Sequence, residues 1–341
     1  MGEPKISVLI PMYNRKHYIE DCINSVLIQT FKDFEILVCD DGSTDGSADF
    51  VEEKYAAQIK SGKIKLRRNE KNIGEFPTDN LLLREAAGKY VMILHSDDLY
   101  LQQALEQMYE TAEYFNADVV HAGTFLQSPK GGRIDNDNPF KVMCWENRVV
   151  KNFETVPDEP KLRFMQWRDV DTFFDAQYNI FNRKFLVEKN IFFPNWGGNP
   201  LFCLNWLMKA KVFVKTPDVF YIRRDAPDSS SNDEKFLADK AYKFIVGMTE
   251  TAGYLRELFR SVEFFRNNVQ AQYHARAVFY ERFDNFRLNR IKVYEQGVTP
   301  ELNRAVAKAF EECFGERADY FAFLFHKVHC MEFERDYNWI V

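Results

Sequence analysis

Tyr90-Val91-Met92-Ile93-Leu94-His95-Ser96-Asp97-Asp98 is an apolar run that stops on two adjacent carboxylates. Five bulky apolar residues in a row suit a strand buried on both faces, as in a parallel sheet, and open sheets of that kind bind ligands beyond the carboxyl ends of their strands. Neighbouring side chains at a strand end point in different directions, so Asp97 and Asp98 can serve different atoms of one ligand. Such a sparse carboxylate anchor suits Mg²⁺ or Mn²⁺, which keeps its waters and takes its other ligands from phosphate oxygens. Read alone, the pair is explained equally well as a solvated Asp-Asp turn.

The preceding chain tips that balance. Ile6-Ser7-Val8-Leu9-Ile10 reads as a buried strand ended by Pro11, and Tyr18, Cys22 and Val26 then recur at helical spacing. Phe34-Glu35-Ile36-Leu37-Val38-Cys39 is a second strand that also stops on a carboxylate pair, Asp40-Asp41, before a Gly42-Ser43-Thr44-Asp45 turn able to cap a helix. Ile64-Lys65-Leu66 makes a third strand, followed by the polar loop Asn69-Glu70-Lys71-Asn72-Ile73-Gly74 and a helix over 78–87 that leads into the opening stretch. Four such βα units predict a doubly wound, mostly parallel α/β sheet. Two of its strands end in Asp-Asp at one edge, and no G-x-G-x-x-G or Walker A loop is present to hold phosphates by backbone amides.

Composition narrows the classes. A 341-residue chain with 46% hydrophobic and 28% charged residues is globular, with room for a large domain and an appendage. Net charge −6 argues against a nucleic-acid binder, which would carry a basic face. No leader pattern and no apolar run near the ~20 residues of a bilayer span is present, so a cytoplasmic protein is expected. Six cysteines without C-x-x-C spacing read as reduced, packed thiols, and His326-Lys327-Val328-His329-Cys330 lacks partners at zinc spacing.

Four blocks carry a family resemblance: 7–15 (Ser7-Val8-Leu9-Ile10-Pro11-Met12-Tyr13-Asn14-Arg15), 25–31 (Ser25-Val26-Leu27-Ile28-Gln29-Thr30-Phe31), 34–47, and Gly88-Lys89-Tyr90 into Ser96-Asp97-Asp98. In order and spacing they resemble the family 2 glycosyltransferases of the GT-A fold, over about the first 100 residues. The resemblance implies a nucleotide-diphospho-sugar donor, UDP-linked, with its base near Pro11 and Tyr13 and with Asp41 accepting from the base ring. It places Gly74 and Ser96 near the donor, Asp97 towards the ribose or sugar, and Asp98 on the Mn²⁺ or Mg²⁺ of the diphosphate. It also implies inversion at the anomeric carbon and a glycan or lipid-linked glycan acceptor. Bland alternatives stand beside these roles: Tyr13 packing on the first helix, Asp40 capping its turn, an ordinary Asx turn at Asn72.

Two positions depart from the family pattern. Where an Arg-Asn pair is frequent the chain has Asp79-Asn80, and where the family places Glu-Asp after Gly197-Gly198 it has Asn199-Pro200. Neither Asn nor Pro can act as a general base. Pro200 nonetheless suits the first turn of a helix over 201–209. Asp169, Asp171 and Asp175 are candidate replacements, and a nucleotide-sugar-binding pseudoenzyme is the alternative function. Arg223 and Arg224 carry guanidinium groups suited to phosphate oxygens, next to the polar segment 225–231. The expected domains are 1–228, the GT-A unit, and 229–341, a Phe-rich helical region for which packing on the first unit or on a second copy is expected. Peripheral membrane contact is left open.

Overall fold

The computed structural model describes residues 2–129, 140–144, 150–169, 175–195, 198–226, 253–272 and 274–276. Two compact units emerge: Met1–Phe193 with Phe202–Pro227, and Pro194–Leu201 with Asp228–Val341.

The first unit is built on an eight-stranded sheet. In chain order the elements are β1 Ile6–Met12, α1 Ile19–Leu27, β2 Phe34–Asp40, α2 Ser47–Lys54, α3 Ala56–Lys60, β3 Ile64–Arg68, α4 Glu75–Glu85, β4 Tyr90–Ile93, β5 Leu99–Tyr100 and α5 Ala104–Phe115. Then follow β6 Val119–Ala122, β7 Thr124–Gln127, β8 Lys141–Cys144, β9 Glu154–Val156, α6 Pro160–Asp169, a 3-10 turn Ala176–Tyr178, β10 Asn179–Asn182, α7 Arg183–Glu188, α8 Gly198–Lys209, β11 Phe213–Thr216 and β12 Tyr221–Arg223. The large sheet runs β3-β2-β1-β4-β10-β6-β11-β9, parallel across its first four strands, with β10 antiparallel to both β4 and β6. Every residue of β1, β2 and β4 is buried, as their unbroken apolar runs require.

Three expectations are adjusted. β1 does not end at Pro11 but continues to Met12: pairing with β4 stops at Leu9↔Ile93 while pairing with β2 runs on to Met12↔Asp40, so the proline lies where the strand has one partner only. The stretch 118–125, which its sequence pattern predicts to be one strand, is two strands of different sheets. It breaks at Gly123, where a Cβ would lie 3.2 Å from Val150, and β7 joins a second, four-stranded sheet, β5-β12-β7-β8. The helix before β4 begins at Glu75 rather than Thr78, because Pro77 is tolerated in a first turn.

The parallel strands are tied by a buried polar network. Ser7 Oγ donates to Glu35 Oε1 at 2.6 Å, Ala87 N–H donates to the same oxygen at 2.8 Å, and Lys65 Nζ lies 2.7 Å from Oε2. Burial raises the Glu35 pKa, but the bonds from Lys65 and Ser7 outweigh it and hold the carboxyl below the usual value. Glu35→Ala is therefore expected to cost about 2–4 kcal/mol in urea unfolding, since it orphans the buried Ser7 hydroxyl and the partly buried Ala87 N–H. The bonded carboxylate contributes fully above the unfolded value of about 4.3, so in wild type this contribution fades as pH falls through the lowered folded value. An acid limb identical in wild type and variant would refute it.

In the second unit the described part of 253–276 is largely helical, including a short helix Glu263–Arg266, with Leu255, Leu258, Phe259, Val262 and Phe265 buried. The remaining helices expected over 229–341 lie outside the described residues. No helix among the described residues is long and apolar enough to cross a membrane.

Candidate active site

β1, β2 and β4 deliver their C-terminal residues to one edge, and the loops leaving them are laced together. Asn14, in the left-handed region at φ 51°, donates its N–H to Ser43 Oγ at 2.8 Å and accepts from Thr44 N–H through its side chain at 2.8 Å. Arg15 N–H donates to Ser47 Oγ at 3.0 Å. Between these tethers Tyr13 stands 37% exposed, an aromatic face held at the sheet edge beside buried Pro11.

The Asp40-Asp41 pair divides its labour. Asp41 is 3% exposed and accepts three bonds: from Asn69 Nδ2 (2.9 Å) and Ile73 N–H (2.9 Å) on Oδ1, and from Gly74 N–H (2.8 Å) on Oδ2. It therefore fastens the 69–74 loop, whereas the resemblance has it reaching for a base ring. Gly42 is required for this approach: at φ 72°, a Cβ there would sit 2.8 Å from Asn72 N. Asp40 caps its turn through Ser43 N–H at 3.1 Å, and its other oxygen is buried without a hydrogen-bond partner.

At the end of β4, Asp97 and Asp98 differ. Asp98 is 5% exposed, accepts from the Tyr221 hydroxyl at 2.6 Å on Oδ2 and from Arg224 N–H at 2.7 Å on Oδ1. Burial, then the Asp97 charge, pushes its carboxyl up to about 6. Asp97 is more open, its side chain 16% exposed, with Arg15 Nε 3.6 Å from Oδ2. Ser96 beside them is buried. His95 lies 3.9 Å from Asp98 Oδ2 and 3.6 Å from Glu75 Oε1; burial lowers its pKa, yet Glu75, Asp98 and the other carboxylates overcome this and raise it.

A divalent cation was expected on Asp98 alone. Among the described residues no three His, Cys, Asp or Glu side chains group as a metal cage. The donor set is instead two adjacent carboxylates, all oxygen, which fits a hard cation that brings phosphate and water ligands of its own. Asp97 is its accessible member. Asp98 keeps one lone pair per oxygen after its protein bonds.

Arg224 departs from expectation. Its guanidinium donates to Asp21 at 2.8 Å and lies 5.1 Å over the Tyr18 ring, so its backbone amide, not its side chain, addresses the carboxylate pair. Arg223 is exposed. Arg15 is the cation at the pair, a role missed although it stands in the first matching block. Tyr221 was missed too, because nothing in an apolar strand end signals that its hydroxyl meets a residue 123 positions away.

Of the base candidates, Asp169 ends α6 but its side chain lies outside the described residues, as does Asp171. Asp175 precedes the 3-10 turn, its backbone carbonyl accepting from Asn179 Nδ2 at 2.7 Å and from Tyr178 N–H at 3.1 Å. Asn199 and Pro200 stand in the first turn of α8 as expected, a turn with no acidic residue. His121 is a buried core residue bonded through Nδ1 to Asn179 at 3.0 Å, with burial lowering its pKa to about 3.

Known proteins resemble this chain in sequence and fold. The family model for glycosyl transferase family 2 matches residues 7–190. A glycosyltransferase of Rickettsia conorii is 39% identical over 136 residues, covering 40% of this chain and 22% of its own length. The Escherichia coli enzyme WfgD, named a UDP-Glc:alpha-D-GlcNAc-diphosphoundecaprenol beta-1,3-glucosyltransferase, is 37% identical over 106 residues, 31% of this chain and 40% of that one. The chain thus spans less than half the length of these relatives. TarS of S. aureus, solved with UDP-GlcNAc, superposes with a TM-score of 0.59 at 20% identity, covering 93% of this chain and 83% of that one, which speaks to the fold. By sequence this chain belongs to glycosyl transferase family 2, and its sheet is the GT-A fold.

Proposed function

We propose that this chain transfers a sugar from a UDP-linked donor to a hydroxyl of a glycan or lipid-linked glycan, with inversion, in glycan or polysaccharide biosynthesis at the cytoplasmic side of a membrane. The observation that carries the reading is the convergence at one sheet edge of exposed Tyr13, the loop fastened by Asp41 and the Asp97-Asp98 pair with Arg15 beside it. Tyr13 offers a face for the base, and the Asp41-held loop with Gly74 closes the same side. Arg15 neutralises charge next to Asp97. Mn²⁺ or Mg²⁺ held by Asp97 and Asp98 would supply charge stabilisation for the departing diphosphate. Names of relatives that use UDP-sugars support the donor class.

Titration calorimetry of the chain with UDP, with and without Mn²⁺, tests this. Micromolar binding strengthened by the metal is expected; equal affinity in both would remove the metal, and no binding would remove the donor. One observation favours a second reading: the first turn of α8 holds Asn199-Pro200 where a base is usual, as in a binding module that holds donor without turnover.

A further inference from the structure

Helix α4 carries two consecutive buried polar residues with unpartnered atoms: Thr78 Oγ1, on a residue 1% exposed, and Asp79 Oδ1, on one 2% exposed. A buried carboxyl without a hydrogen-bond partner is costly, and a fold that keeps one has a use for it or a ligand for it. Burial, reinforced by Glu75, drives the Asp79 pKa well above the usual range, while His95 opposes. Both neighbours are reachable: the side chain of Glu75 is 42% exposed and that of His95 27%, 3.6 Å apart, and His95 adjoins Asp98 at 3.9 Å. The group around Asp79 therefore touches the carboxylate pair on the His95 side, while the cation Arg15 lies against Asp97.

That distribution of charge selects a ligand. Glu75 and the Asp97-Asp98 pair repel phosphate and carboxylate groups, whereas the buried Asp79 carboxyl, the Glu75 carboxylate and the imidazole can hydrogen-bond to hydroxyls and amides. We infer that Glu75, Asp79 and His95 form the subsite for an uncharged sugar ring of the donor, with Asp79 making there the hydrogen bond it lacks in the free protein. The subsite turns away a sugar that bears a carboxylate. This rests on the UDP-sugar reading above and specifies its sugar class.

The test is calorimetry on the full chain with Mn²⁺, using UDP, UDP-glucose, UDP-N-acetylglucosamine and UDP-glucuronate. Wild type is expected to bind one of the two neutral-sugar donors at least about tenfold more tightly than UDP-glucuronate. Asp79→Leu is expected to lose about tenfold for that donor, keep its affinity for UDP, and melt no lower than wild type, because no bond of the free protein is removed. Asp79→Asn, which keeps an acceptor, should recover part of the loss, and Asp79→Ala stands in if the leucine does not fold. Unchanged UDP-sugar affinity in the Asp79 variants, an equal loss for UDP itself, or a preference for UDP-glucuronate overturns the subsite alone. A wild type that binds none of the four overturns the donor reading and the subsite with it.

Discussion

Asp98→Ala is expected to lose metal-supported UDP binding and about 2–4 kcal/mol of stability, whereas Asp97→Ala is expected to lose the binding with its melting point unchanged. The difference follows from what each carboxylate holds. Asp98 is buried and receives the Tyr221 hydroxyl and the Arg224 amide, so removing it strands two donors and unpins β12 from the end of β4. Asp97 has one long contact, 3.6 Å to Arg15, and gives up little when truncated. Transfer should fall by about 10²-fold or more in both, the scale of losing a metal or its support. Thermal melts and UDP titrations with Mn²⁺ on both variants decide it. If Asp97→Ala keeps the metal effect and Asp98→Ala keeps its melting point, the division of labour is wrong.

Asp175→Asn is expected to lower sugar transfer by about 10²–10⁴-fold and to leave UDP affinity intact, as the loss of a general base would. Asp175 is partly exposed on a backbone fixed by Asn179 and Tyr178. Burial first, then the Asp98 charge, raises the pKa of the Tyr178 hydroxyl, with Arg223 opposing and Asp175 adding to the rise. The Tyr178 and Tyr221 rings lie 4.9 Å apart, and Tyr221 holds Asp98, so Asp175 and the carboxylate pair flank one tyrosine cluster. UDP release with a panel of hydroxyl acceptors measures the effect. Full activity in Asp175→Asn passes the role to Asp169 or Asp171, tested in the same way. A wild type that binds UDP but never turns over establishes the binding module, and the double variant Asn199→Glu with Pro200→Asp should then gain donor hydrolysis.

The sheet was legible from sequence because its signal is local. Buried parallel strands need unbroken apolar runs, and those at 6–10, 34–39 and 90–94 became β1, β2 and β4. The runs at 34–39 and 90–94 both lead into an Asp pair at the same end, so the site's edge followed from chain direction alone. The first turn of α8 was legible for a similar reason: proline is tolerated there and almost nowhere else in a helix. The antiparallel β10 inserted between β4 and β6 was not, since Asn179-Ile180-Phe181-Asn182, with only two apolar residues, carries no mark of direction.

Sequence by itself settled the α/β class, the glycosyltransferase family and which strand ends carry carboxylates. Tertiary structure alone decided what each carboxylate does. Asp40 and Asp41 are adjacent and chemically identical, yet one caps a turn and the other fastens a loop about thirty residues on, because only the fold says which N–H groups lie within hydrogen-bond reach. Likewise Asp98 is held by residues more than 120 positions away, and Arg224 spends its charge on Asp21. Hydrogen bonds are short-ranged in space and indifferent to separation along the chain, so their partners are read only once the strands are paired.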